Sequence, residues 1–186
     1  MISLFFKTYG CLANVADSMA IFKHLQTIGC YLVEKKEDAD LIIVNTCAIR
    51  DKAEQKLFSY LGELKKIKEN KPHIKIVVAG CVASYKKEEL KQRFENISFV
   101  HGARDDQNSL LSSLTNLVTK IKKQKGLYDK NILPAKKQTN TPNNELHPEV
   151  KKSLINIMTG CNKYCSYCIV PFTKGSEKSF DSKKII

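Results

Sequence analysis

The segment Met158-Thr159-Gly160-Cys161-Asn162-Lys163-Tyr164-Cys165-Ser166-Tyr167-Cys168-Ile169-Val170-Pro171 carries three cysteines at C-x3-C-x2-C spacing in one short loop. Three thiolates so close together wrap a compact inorganic core and leave one of its corners without a protein ligand. A structural metal site closes its coordination sphere, whereas an open position is where a substrate or cofactor binds. The spacing therefore points to chemistry rather than to scaffolding. A structural zinc site asks for a fourth ligand, usually from a second Cys or His pair, and the nearest histidine, His147, lies upstream in a polar stretch. Disulfides fit poorly with an odd count of seven cysteines and with an opening apolar run, Ile2 to Phe6, too short for a secretory leader. Iron and sulfide held by Cys161, Cys165 and Cys168 is the expectation, with zinc as the alternative.

Residues 2 to 123 alternate short apolar runs with amphipathic stretches, the pattern of a parallel sheet covered by helices in an α/β fold. The runs are Ile2 to Phe6, Tyr31 to Val33, Leu41 to Val44, Ile74 to Ala79 and Ile97 to Val100. Between them, Asn14 is placed as the cap of a first helix that ends at Gly29. Asp51 and Glu54 form a capping-box pattern ahead of a helix reaching Asn70. Lys86 to Phe94 and Asp106 to Lys123 are the remaining helices. On this frame Cys11, Cys47 and Cys81 each fall just past the carboxyl end of a strand. In a parallel sheet those ends share one edge, the edge at which open α/β folds bind ligands, so these three thiols are expected to converge into a second metal site. Cys30, after Gly29 and before the second strand, falls on the opposite edge and reads as a core residue.

Charge adds a candidate partner. The chain carries a formal +12, and residues 120 to 152 hold nine Lys against three acidic residues. A surface of that sign favours a polyanion such as tRNA or DNA, and a solvated linker explains the same charge equally well. Residues 124 to 150, rich in Lys, Asn and Pro, read as that linker, and Ser153 to Met158 as a strand feeding the cysteine loop. Asp181 to Ile186 reads as the first turn of a helix.

The cysteine loop continued through Phe172-Thr173-Lys174-Gly175-Ser176-Glu177 resembles the radical S-adenosylmethionine (SAM) methylthiotransferases. The segment Asn45-Thr46-Cys47-Ala48-Ile49-Arg50-Asp51-Lys52-Ala53 resembles their tRNA-modifying MiaB branch. The resemblance implies a methylthiotransferase domain over 1–123 with an auxiliary 4Fe-4S cluster on Cys11, Cys47 and Cys81. It also implies the start of a radical SAM barrel over 151–186, truncated after its first strand, with a SAM-binding 4Fe-4S cluster on Cys161, Cys165 and Cys168. Asn14, Asn45 and Arg50 are candidates to support the auxiliary ligands. The implied reaction is 2-methylthiolation of N6-isopentenyladenosine at tRNA position 37, by hydrogen abstraction from C2 and sulfur insertion. The implied partners are tRNA, an electron donor such as flavodoxin or ferredoxin, and a sulfur donor that no residue identifies. The chain is expected to be a cytoplasmic monomer away from membranes. Threonylcarbamoyladenosine in tRNA is the alternative substrate, and a zinc-dependent nucleic-acid-binding module is the alternative of another class. An electron carrier is disfavoured, because it would want four cysteines for each cluster.

This chain departs from the family pattern at Lys174 and Phe180, where Arg is usual, and Lys lacks the bidentate fork of Arg. With one barrel strand and no neighbours to pair it, residues 150–186 are expected to be poorly anchored, and no turnover is expected from these residues alone.

Overall fold

The computed structural model describes residues 1–49, 51–127 and 154–185. Five strands, β1 (Ile2–Tyr9), β2 (Cys30–Leu32), β3 (Leu41–Thr46), β4 (Lys75–Gly80) and β5 (Phe99–Gly102), form one sheet in the order β2-β1-β3-β4-β5. Every pairing in it is parallel. β3 lies at the centre and all six of its residues are buried, as expected of a strand covered on both faces.

Helix α1 (Leu12–Thr27) follows β1, and α2 (Asp51–Asn70) follows β3. The short α3 (Cys81–Tyr85) and α4 (Lys87–Arg93) follow β4, and α5 (Gln107–Gln124) follows β5. One core layer packs Ile21, Phe22 and Leu25 of α1 and Leu110, Leu114 and Val118 of α5 against Leu4, Ile43 and Val77. The other packs Leu57, Leu61 and Leu64 of α2 with Val82 of α3 and Leu90 of α4 against Ile42, Val44 and Val78. Alternate residues of β3 thus serve opposite layers. The chain leaves β1 toward β2 in one direction and runs from β3 through β5 in the other, and right-handed crossovers then put the helices on opposite faces. The strand order reverses between β1 and β3, which creates the crevice at which such folds bind ligands.

The helix read from Asp106 to Lys123 runs Gln107–Gln124, and Asp106 caps it, its carboxylate accepting from the Ser109 amide at 2.8 Å. Asn14 is not a cap. Cys11 occupies that position, and Asn14 lies inside the first turn of α1, fully buried. The side chain of Asp51 in the predicted capping box, Arg50, and the linker from residue 128 onward all lie outside the described residues.

In the carboxyl-terminal segment Met158–Thr159 (β6) pairs antiparallel with Lys178–Ser179 (β7). The longer strand expected over 153–158 does not form in the described part, where residues 154–157 are irregular. Helix α6 (Val170–Lys174) follows the cysteine loop, and α7 (Ser182–Ile185) is the short turn expected after Asp181. Poor anchoring is not what α6 shows: Thr173 is 1% exposed, and its carbonyl accepts from Ser84 Oγ of α3 at 2.7 Å. The short helix α6 docks on α3, and this contact anchors the segment.

Candidate metal centre

Register sets the geometry. Tyr9, Thr46 and Gly80 lie side by side across β1, β3 and β4. Cys47 and Cys81 are the next residues along their strands, and Cys11 follows Tyr9 by two. The ends of three adjacent strands, two of them flanking the reversal of strand order, thus carry the three cysteines on one edge. Cys47 and Cys81 are 1% and 2% exposed, while Cys11 is half-buried. Cys30, paired with Ile2 at the other edge, is buried in the core, and burial pushes its thiol up to about 11.

A buried polar network ties the start of α1 to the end of β3. Asn14 Nδ2 donates to Asn45 Oδ1 at 3.2 Å and to the Thr46 carbonyl at 3.1 Å. Asn45 Nδ2 returns two bonds, to the Asn14 carbonyl at 2.8 Å and to Ser18 Oγ at 2.9 Å. Both amide groups therefore use both of their protons, the condition under which a buried amide is tolerated. The Cys11 thiol donates to Asn14 Oδ1 at 3.4 Å, so this network reaches the first cysteine directly. The Cys47 amide donates to the Tyr9 carbonyl at 2.8 Å, and its sulfur accepts from the Ile49 amide at 3.4 Å. Ser18 was not singled out in the sequence, although its position four residues after Asn14 on one helix face was a usable signal.

Burial raises the Cys81 thiol above its ordinary value, and the Lys174 ammonium opposes that shift. Thr173, the Ala48 amide and Cys47 lie close enough to bear on the same sulfur. The helix that follows the C-x3-C-x2-C loop therefore sits beside the strand-end cysteines. Within that loop Cys165 is exposed and Cys161 and Cys168 are half-buried. Gly160 at φ 75° precedes it, where a Cβ would run into the Ser176 carbonyl. The Cys161 amide donates to the Gly175 carbonyl at 3.1 Å, closing the loop's base.

Among the described residues, no group of three or more His, Cys, Asp or Glu side chains stands together as a ready site for a metal ion. Cys11 and Cys47 instead satisfy local backbone and amide partners. In kind, the donor set fits iron and sulfide, since thiols from three strand ends share one edge and soft thiolate ligands suit such clusters. Arg50 lies outside the described residues.

The architecture defines an open α/β protein with a cysteine-bearing carboxyl edge and a second cysteine loop docked beside it. Residues 3–102 match the family described as Uncharacterized protein family UPF0004, and the chain belongs to that family. It is similar to the tRNA-2-methylthio-N(6)-dimethylallyladenosine synthase of Neorickettsia sennetsu, 40% identical over 183 residues that cover 96% of this chain and 38% of that one. The protein of the same name from Buchnera aphidicola is 38% identical, covering 98% of this chain and 40% of its own length. A third, from Hydrogenobaculum, is 38% identical over 98% of this chain and 41% of its own. The chain spans about two fifths of the length of these curated relatives. No helix among the described residues is long and apolar enough to cross a membrane.

Proposed function

We propose that this chain is part of a radical SAM methylthiotransferase acting on tRNA. Cys11, Cys47 and Cys81 hold an auxiliary 4Fe-4S cluster, and Cys161, Cys165 and Cys168 hold the cluster that binds SAM. The observation that carries this reading is the docking of α6 onto α3, which brings the segment after the second triad against the strand end that bears Cys81. The segment 151–186 is read as the start of a radical SAM barrel, and 1–123 as the domain that supplies the other cluster. The names of the relatives favour N6-dimethylallyladenosine as substrate over the threonylcarbamoyl form.

The bound groups would supply radical hydrogen abstraction and the sulfur that is transferred. The protein's own residues do the rest. Asn14 and Asn45 hold the start of α1, which Cys11 precedes, against the end of β3, so that Cys11 and Cys47 keep their relative position. Burial of Cys47 and Cys81 keeps water from their sulfurs, and the Lys174 ammonium favours the Cys81 thiolate that a ligand must become. Electron supply comes from a separate reduced donor of flavodoxin or ferredoxin type.

Anaerobic reconstitution with iron and sulfide tests the assignment. The wild-type chain is expected to turn brown. Cys81→Ala and Cys165→Ala are each expected to lose about half of the bound iron, while Cys30→Ala keeps it all. A colourless protein that takes up zinc instead would refute the reading.

A further inference from the structure

Helix α2 aligns Lys52, Lys56 and Tyr60 at intervals of four residues, and with Tyr9 at the end of β1 they line a cleft of about 450 Å³. The Tyr9 and Tyr60 rings meet edge to face with centroids 6.0 Å apart. Lys36 stands 5.0 Å from the Tyr60 ring centre and is committed to Glu63 at 2.8 Å. Lys52 and Lys56 have no ion pair among the described residues. Tyr60 is 7% exposed, yet its hydroxyl has no hydrogen-bond partner among the described residues. A buried, unsatisfied hydroxyl costs stability and is retained where something else completes it. Burial pushes that hydroxyl well above its usual range, so it remains a donor. The cleft also adjoins the cysteine edge, because the Tyr9 carbonyl accepts from the Cys47 amide.

We propose that this cleft receives one nucleotide of a single-stranded RNA loop, with Lys52 and Lys56 on its phosphates, the Tyr9 ring carrying its base and the Tyr60 hydroxyl donating to it. The proposal rests on the reading of tRNA as substrate, and it assigns to α2 the nucleotide next to the one modified. Two unpaired ammonium groups beside a pair of rings match a phosphate joined to a planar base. A free inorganic anion would leave the rings unused, and an apolar protein surface would strand the charges.

Fluorescence anisotropy of the 186-residue chain with an end-labelled RNA stem-loop, titrated with salt, tests it. The double variant K52Q/K56Q is expected to bind about tenfold more weakly, with a log–log salt slope shallower by about 1.4. Lys120→Gln, exposed on α5 in the opposite layer, is expected to change neither. Tyr60→Phe removes a hydroxyl without a partner among the described residues, so it should fold at least as stably while binding about fivefold more weakly, a loss that a purely structural tyrosine would not show. If the wild-type chain binds RNA and these variants match it in affinity and slope, the cleft is wrong and the tRNA reading stands. If the wild-type chain binds no RNA, both fall, and the iron and sulfide content of the same preparation still judges the cluster assignment by itself.

Discussion

Lys174 Nζ lies 3.7 Å from Asp17 Oδ2, an ion pair that joins the helix after the C-x3-C-x2-C loop to the helix after Cys11. Asp17 also accepts from Asn156 Nδ2 at 3.4 Å, so a single carboxylate on α1 meets the carboxyl-terminal segment on both sides of its cysteines. Burial raises the Asp17 carboxyl above its ordinary range, and Lys174 only partly offsets this.

That balance separates local from global effects. An acid whose folded pKa is raised favours its neutral form, so the ionised carboxylate costs some stability at neutral pH and that cost fades as pH falls through the folded value. Asp17→Asn is therefore expected to leave global stability within about 1 kcal/mol of wild type. The amides of α6 should nevertheless exchange several-fold faster, as read by hydrogen-exchange mass spectrometry. Unchanged exchange over residues 170–175 would show that the pair does not hold α6.

Asn45 offers a harsher test. Its side chain completes bonds to Asn14 and Ser18 inside the protein, all at 2.8 to 3.2 Å. Asn45→Ala strands these groups without water, at a cost of about 2–4 kcal/mol. Asn45→Asp is expected to be no better, since a carboxylate cannot donate to the Asn14 carbonyl. Urea unfolding measures both, and a variant within about 0.5 kcal/mol of wild type would mean that the network does not hold the start of α1 against the end of β3.

Asp40 is expected to shape the acid limb of stability. It is 4% exposed and pairs with Lys125 at 2.5 Å, and the Ser3 amide donates to it at 3.1 Å. Burial pushes its carboxyl up, but these bonds outweigh that and hold it below its usual range. A carboxylate lowered on folding contributes stability above its unfolded pKa and loses it as pH falls through the folded one. Unfolding midpoints should therefore decline below about pH 4, and Asp40→Asn should flatten part of that decline while being less stable at neutral pH. Parallel pH profiles for the two proteins would assign the acid sensitivity elsewhere.

Much of this sheet was legible because β1, β3 and β4 are apolar enough to be read as doubly covered strands. Their ends were not. The run read as Leu41 to Val44 continues through Asn45 and Thr46, and that read as Ile74 to Ala79 reaches Gly80, because the polar groups at the ends are spent on partners from other elements. Asn14 looked like a cap for the same reason: one sequence shows an amide near a helix start, and only the fold shows Asn45 opposite it. Cys30 was separable from the other cysteines because strand direction alone puts it on the far edge. The docking of α6 had no local signature, since Ser84 and Thr173 meet across 89 positions of sequence.

Gly80 tests whether the strand end itself positions Cys81. At φ 102° it turns β4 directly into α3, and a Cβ there would strike the Asn45 side chain and the Thr46 backbone. An alanine must either hold a strained dihedral, at about 1–3 kcal/mol, or push β3 and β4 apart. Either route moves Cys81 relative to Cys47. Gly80→Ala is thus expected to destabilise the chain by about 3 kcal/mol and, on the proposed assignment, to lose the iron assigned to the strand-end cysteines while keeping that assigned to the 161–168 loop. Gly62, inside α2 with open space where its Cβ would be, is the internal comparison: Gly62→Ala should stabilise by about 0.5–1 kcal/mol with iron unchanged. Full iron binding by a folded Gly80→Ala protein would separate the turn from the metal site.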